Sequence, residues 1–250
     1  RYLHNDGNGL FSDLSVKAQL KGIIGGLNVI QGDYNNDGWM DFMVLRGAWL
    51  TNLNLPNSLF RNNGDGTFSD VTIEAGLLSF HPTQAGVFCD FNNDGFLDLF
   101  IGNESTKNPH PNELYLNDTK GKFINVLAGS GVEDLVFFCK GIIAGDINND
   151  GWTDVYMTRM GGDNVMLLNK STATKIQFEN ISSTSGTVNP QGSFSTCMLD
   201  FNNDGNLDIF AGSFNINRYN HLPEDIVNDY RGKPFQNELC GLYINQGNLN

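Results

Sequence analysis

No stretch of the sequence approaches the ~18 consecutive apolar residues of a membrane-spanning helix, which excludes membrane insertion by that route. The start shows no basic segment leading into an apolar one, so any secretory leader is expected to be already removed or to lie outside these 250 residues. Positive charge is scarce: 15 Lys and Arg face 28 Asp and Glu, a net charge of −13. A surface of that sign repels phosphate, which argues against nucleic-acid and anionic-membrane partners. Only four cysteines occur, Cys89, Cys139, Cys197 and Cys240, and no two form a C-x-x-C pair, so a zinc site of that type is not expected. Nucleophile-elbow, H-E-x-x-H and Walker motifs are all missing. Glutamate is rare as well, with 7 against 21 Asp, and helix formers are few.

Turn formers are what the chain has in quantity: those 21 Asp, 34 Asn and 29 Gly. Their short side chains, or the lack of one, suit tight backbone. With 18 Phe, 7 Tyr and 3 Trp to fill a core, the composition points to a turn-rich β protein and excludes disorder.

A repeat organises these residues. Asp33-Tyr34-Asn35-Asn36-Asp37-Gly38-Trp39-Met40-Asp41 recurs from Asp90 to Asp98, from Asp146 to Asp154 and from Asp200 to Asp208. All four copies share the frame D-x-N-N-D-G-x-x-D, and their first residues are 57, 56 and 54 positions apart. A β-prone segment precedes each copy (27–30, 85–88, 141–144, 193–198) and another follows it (42–45, 99–101, 155–157, 209–211). A third comes at 58–61, 113–116, 165–168 and 241–244, and a fourth at 68–71, 123–126 and 178–181. Asn-Gly and Asp-Gly between such segments signal hairpins, because these residues adopt positive φ cheaply. Phe11, Phe68, Phe123 and Phe178 recur at the same point of the period.

The expected fold is therefore all-β, a β-propeller of four-stranded antiparallel blades of about 55 residues each. The expected limits are 1–22 for the end of a preceding blade, then 23–78, 79–134, 135–189 and 190–250 for blades 1 to 4. The last blade is incomplete and carries an insertion at 217–236 with Tyr219, His221, Tyr230, Arg231 and Phe235. Residues 1–11 read as a third and fourth strand, and 242–247 as a third strand and its turn. Both ends thus supply a third strand. A closed four-bladed ring needs only one, so the expectation is an open arc of a ring of about seven blades.

Each nine-residue frame places oxygen donors on alternate residues of a tight turn. The expected ligands are Asp33, Asn35, Asp37 and Asp41; Asp90, Asn92, Asp94 and Asp98; Asp146, Asn148, Asp150 and Asp154; Asp200, Asn202, Asp204 and Asp208. A backbone carbonyl is expected from Trp39, Phe96, Trp152 and Asn206, whose side chains are accordingly free to vary. Such a set suits Ca²⁺, which takes six to eight oxygens, better than Mg²⁺, which keeps water in an octahedral shell. An EF-hand needs Glu at position 12 between helices; Val44, Ile101, Met157 and Ala211 stand there, within strand-like flanks. Twelve of the 21 Asp lie in these loops, where they repel one another unless a cation intervenes. Four Ca²⁺ would bring the net charge from −13 to about −5.

On these loops, together with the Leu59-Phe60-Arg61-Asn62-Asn63-Gly64-Asp65-Gly66-Thr67-Phe68-Ser69-Asp70-Val71-Thr72 run and Ala75-Gly76-Leu77, the chain resembles the FG-GAP/VCBS repeats of integrin-α-type propellers. In detail it is most similar to the extracellular cartilage acidic protein and ASPIC/UnbV group. The resemblance implies a propeller, commonly seven-bladed, with Ca²⁺ hairpins between the first two strands of each blade. It also implies an extracellular place, secreted or on the cell surface, and says little about a ligand.

The favoured function is a non-enzymatic adhesion or binding module whose partner is a protein or a glycan. A Ca²⁺-dependent polysaccharide-degrading enzyme and a purely structural spacer or filament subunit are the alternatives, since propellers host many activities. Further blades or self-assembly would cover open blade faces. His4, His81, His110 and His221 fall at unrelated repeat positions and read as loop residues. The cysteines read as small buried residues of inner strands, or as one or two disulfides. Cys89, Cys139 and Cys197 stand an odd number of positions before their loop Asp, so regular strands would point them one way. Asn103, Asn117, Asn169 and Asn180 each open an N-x-S/T sequon, a candidate for glycosylation.

Overall fold

The computed structural model describes residues 1–47, 55–213 and 240–247. The 217–236 insertion lies outside the described residues. Strands dominate, with one four-residue helical turn, α1 (Ser182–Ser185).

Three sheets have four antiparallel strands in sequence order. Blade 1 runs β3 (Gly26–Gly32), β4 (Asp41–Arg46), β5 (Ser58–Asn62), β6 (Phe68–Asp70). Blade 2 runs β7 (Thr83–Cys89), β8 (Asp98–Asn103), β9 (Glu113–Asn117), β10 (Phe123–Asn125). Blade 3 runs β11 (Cys139–Gly145), β12 (Asp154–Arg159), β13 (Val165–Asn169), β14 (Phe178–Asn180). Blade 4 has three described strands, β15 (Ser193–Leu199), β16 (Asp208–Ser213) and β17 (Gly241–Tyr243). A separate hairpin pairs β1 (Leu3–Gly7) with β2 (Leu10–Asp13).

The core lies between blades. The middle strands are apolar on both faces because each face meets another sheet, so β8, Asp-Leu-Phe-Ile-Gly-Asn, is buried throughout. Tyr34, Met43 and Leu59 of blade 1 pack on Leu99, Tyr115 and Phe123 of blade 2. Phe91, Phe100 and Leu114 of blade 2 meet Val155, Leu167 and Phe178 of blade 3. Ile147, Tyr156 and Met166 of blade 3 meet Ile209 and Ala211 of blade 4. At the inner edge the approach is close: a Cβ on Gly102 would stand 2.3 Å from Cys139 Sγ of the next blade. A buried ion pair also spans blades 2 and 3, joining Lys140 Nζ to Glu104, with Gln84 Oε1 3.0 Å away.

Among the described residues no sheet closes this array into a ring. The β1–β2 hairpin sits beside blade 1, where Tyr2 meets Phe68 edge-on. Phe68, Phe123 and Phe178 are buried, as their place in the period predicts. Phe11 departs from them and is exposed, because its hairpin has only two strands and buries no comparable pocket.

All four cysteines are free thiols, so no disulfide forms among them. The buried reading holds for Cys139, whose thiol burial pushes up to about 12, and half-holds for Cys89, pushed up to about 11. Cys197 and Cys240 are exposed. The parity argument fails at Cys139, because a register shift between Cys139 and Gly141 interrupts the alternation of β11.

Candidate metal centre

Each acidic loop joins the first two strands of its blade and is shaped by its own side chains. The position-1 carboxylate accepts two backbone N–H groups, from positions 5 and 6: Asp37 and Gly38 donate to Asp33, Asp94 and Gly95 to Asp90. Asp150 and Gly151 donate likewise to Asp146, and Asp204 and Gly205 to Asp200. The position-5 carboxylate caps the amide of position 7 at 2.9, 2.9, 2.9 and 2.8 Å in the four loops. This wrapping needs positive φ twice. Asn36, Asn93, Asn149 and Asn203 lie at 56–57°, and the glycines Gly38, Gly95, Gly151 and Gly205 at 85–88°. Asn tolerates that region and Gly occupies it without a Cβ penalty, which is why the frame reads N-D-G.

The position-9 carboxylate ties the loop to the third strand, since Asp41, Asp98, Asp154 and Asp208 accept the amides of Asn62, Asn117, Asn169 and Asn245 at 2.7–2.9 Å. All four are fully buried. Burial, opposed by the amides and reinforced by neighbouring loop carboxylates, pushes Asp41 up to about 6, Asp98 to about 7 and Asp154 to about 6. The loops are short of positive charge.

Within each loop the acids stand close together but spend their oxygens on amides. Among the described residues no three Asp, Glu, His or Cys side chains converge as a metal-ligand group. One buried oxygen is nevertheless left without a hydrogen-bond donor, Asn92 Oδ1 at position 3, and Asp41 Oδ2 at position 9 has only the Tyr34 amide, outside good geometry. Buried acceptors without donors are costly, on the order of 1–3 kcal/mol each. The donor set is all oxygen, so the residues fit a hard cation such as Ca²⁺. Asp33, Asn35, Asp37 and Asp41, with the Trp39 carbonyl, are the residues of the first loop that could hold one. Their counterparts at Asp90, Asp146 and Asp200 repeat the position-1, position-5 and position-9 hydrogen bonds described above, while the position-5 amide also donates to the position-3 Asn in the first, third and fourth loops.

A model of the FG-GAP-like repeat matches residues 48–101, 90–157 and 146–211, which together take in the second, third and fourth acidic loops. The chain belongs to the FG-GAP-like repeat family. Cartilage acidic protein 1 of Homo sapiens is 29% identical over 141 residues, 56% of this chain and 21% of the relative. The protein of the same name from Xenopus tropicalis is 27% identical over 142 residues, 57% of this chain and 21% of that relative. The chain thus spans 21% of the length of the relatives it matches.

Two asparagine positions of the FG-GAP repeat, which the ligand pattern passes over, stitch blade to blade at three of their four occurrences each. Position-4 amides reach the next loop: Asn36 Nδ2 donates to Gly95 O at 2.8 Å, and Asn93 Nδ2 to Gly151 O at 3.0 Å. Asn149 Nδ2 donates to Asn206 Oδ1 at 3.0 Å. The third-strand asparagines reach back. Asn117, Asn169 and Asn245 donate to the position-2 carbonyls of Tyr34, Phe91 and Ile147 in the preceding blade, at 2.8, 2.9 and 2.6 Å. The signal was the invariant second Asn of the frame and the Asn closing each third strand.

These bonds decide the sequons of this FG-GAP chain. Asn117 and Asn169 are buried with Nδ2 committed to two carbonyls each. Asn103 is buried, with Nδ2 on Pro111 O. A glycan on any of the three would displace the packed neighbour, so the folded chain can present only Asn180, which is exposed.

Proposed function

We propose that this chain is an extracellular calcium-binding propeller segment that acts as a non-enzymatic scaffold for a protein or glycan partner. The observation that carries the reading is the fourfold acidic loop, closed by the same backbone geometry each time, with a buried oxygen of Asn92 that lacks a donor. Calcium at the four loops would supply the missing positive charge and stiffen the first hairpin of each blade. The relatives named cartilage acidic protein 1 support an extracellular setting, and no helix among the described residues is long and apolar enough to cross a membrane. The variable loops at the opposite end of the blades are the surface for a partner, because loops on a rigid scaffold vary without disturbing the core.

Calorimetric titration of the chelated chain with Ca²⁺ is expected to give four equivalents, and Ca²⁺ at about 100 times Kd should stabilise by about 2.7 kcal/mol per site. A melting temperature that is the same in Ca²⁺ and in chelator would overturn the calcium reading. A glycan or matrix-protein array that shows binding without turnover supports the scaffold. Unsaturated products released from a uronic-acid polymer would instead establish the enzyme.

A further inference from the structure

At the far end of β7 from the Asp90 loop, two histidines that the repeat leaves unrelated come together. His81 stands in the connection from β6 to β7, and His110 in the connection from β8 to β9. Their Nδ1 atoms are 3.0 Å apart, with the rings inclined at 72°. Both are half-buried.

Their backbones are anchored independently of this contact. Each histidine precedes a proline, Pro82 or Pro111, which confines the preceding residue to extended backbone. The two proline carbonyls accept from adjacent residues at the end of β8: Glu104 N donates to Pro82 O at 2.8 Å, and Asn103 Nδ2 to Pro111 O at 2.7 Å. Ser105 Oγ accepts the His110 amide at 2.7 Å and donates to the His110 carbonyl at 2.6 Å. Thr83 Oγ1 donates to His81 O at 3.2 Å. The pair is thus presented by a preorganised frame, the condition for a site of defined geometry.

Two neutral imidazoles facing Nδ1 to Nδ1 share one proton between them. If the donor ring moves its proton from Nδ1 to Nε2, both Nδ1 lone pairs are left facing the gap between the rings and no proton is released. The spacing favours a right-angled bite. With metal–nitrogen bonds of about 2.0–2.1 Å, nitrogens 3.0 Å apart subtend close to ~90° at the metal, whereas tetrahedral coordination needs about 3.4 Å. A right angle is the cis bite of square-planar or octahedral coordination, the preference of Cu²⁺ and Ni²⁺ among imidazole-bound ions.

We propose that His81 and His110 form a cis-bis-imidazole site for Cu²⁺ or Ni²⁺, bound through their Nδ1 atoms, with water completing the coordination. The site is independent of the acidic loops, whose oxygens favour hard cations.

The test keeps the loops saturated with Ca²⁺ and titrates the full chain with Ni²⁺ by calorimetry and with Cu²⁺ by electron paramagnetic resonance. One saturable equivalent is expected, with two-nitrogen hyperfine coupling on Cu²⁺. His81→Asn and His110→Asn should each weaken Ni²⁺ binding by at least about tenfold, since losing a ligand costs no less than losing an outer-sphere partner. His4→Asn should change nothing. Nitrogen-15 spectra of the wild-type imidazoles need no variant: Ni²⁺ should broaden His81 and His110 before His4 and His221. Binding that survives in the His81→Asn/His110→Asn double variant, or broadening that begins at another histidine, would overturn the site.

Discussion

The second and fourth acidic loops begin with the same six residues, Asp-Phe-Asn-Asn-Asp-Gly, at Asp90–Gly95 and Asp200–Gly205. They fold alike. Asp94 N and Asp204 N donate to the position-1 Asp at 3.1 and 3.0 Å, and Phe91 N and Phe201 N to the position-9 Asp at 3.0 and 2.9 Å. Their surroundings differ. Phe91 is wholly buried against Phe178 of blade 3, while Phe201 is 59% exposed. Asn93 reaches the loop of the next blade, whereas no described residue stands in that place beyond blade 4. A local sequence can therefore specify the hydrogen bonds that close a loop and yet leave the energy of its side chains to whatever packs beside it.

Substitutions at matched positions test that separation. The largest difference is expected at position 2. Phe91→Ala opens a cavity between blades 2 and 3 and should cost about 3–5 kcal/mol in urea unfolding. Phe201→Ala removes a half-exposed ring and should cost less than about 1 kcal/mol by the same measurement. Equal costs would mean that Phe201 is covered in solution, and the comparison would fail.

The third-strand asparagines come next. Asn169→Ala strands the carbonyls of Phe91 and Thr153, both of which it serves at 2.9 Å, and should cost about 1–3 kcal/mol. Asn62→Ala loses an exposed bond to Met40 O at 3.2 Å and a local one from Gly64 N at 3.0 Å, neither reaching another blade, and should cost no more than about 1 kcal/mol. A double-mutant cycle of Asn169→Ala with Phe91→Ala sharpens the result, because residues sharing one inter-blade contact should couple by about 0.5 kcal/mol or more.

The smallest effects belong to position 4, where Asn→Gly keeps the left-handed backbone and removes only the amide. Asn93→Gly should cost about 0.5–1.5 kcal/mol through its bond to Gly151 O, and Asn203→Gly should be close to neutral. Hydrogen exchange at the loop amides should rise in the first variant and stay level in the second.

Blade architecture was legible because its determinants are short-range. Nine residues from Asp90 to Asp98 contain the acceptors, donors and positive-φ residues that close the loop, so the repeat could be read without a neighbour. Strand order followed from hairpin turns of a few residues, and burial of Phe68, Phe123 and Phe178 followed from their period. Parity failed where a bulge shifted the register before Gly141, a feature that no alternation pattern encodes.

Everything that depends on two segments meeting was left to the tertiary structure. Asn117 and Asn169 read as glycan acceptors in one dimension and turn out to be struts between blades, because their partners Tyr34 and Phe91 lie 83 and 78 residues away. His81 and His110, 29 positions apart in different connections, become neighbours only when β7 and β8 pair and bring their ends together. The sequence by itself determined the loops, the blades and the oxygen-donor sets, since those arise from hydrogen bonds within one turn. Which of those residues are buried, latched or free was decided by the stacking of blades, because burial is a property of the surface that faces a residue and no residue carries that information alone.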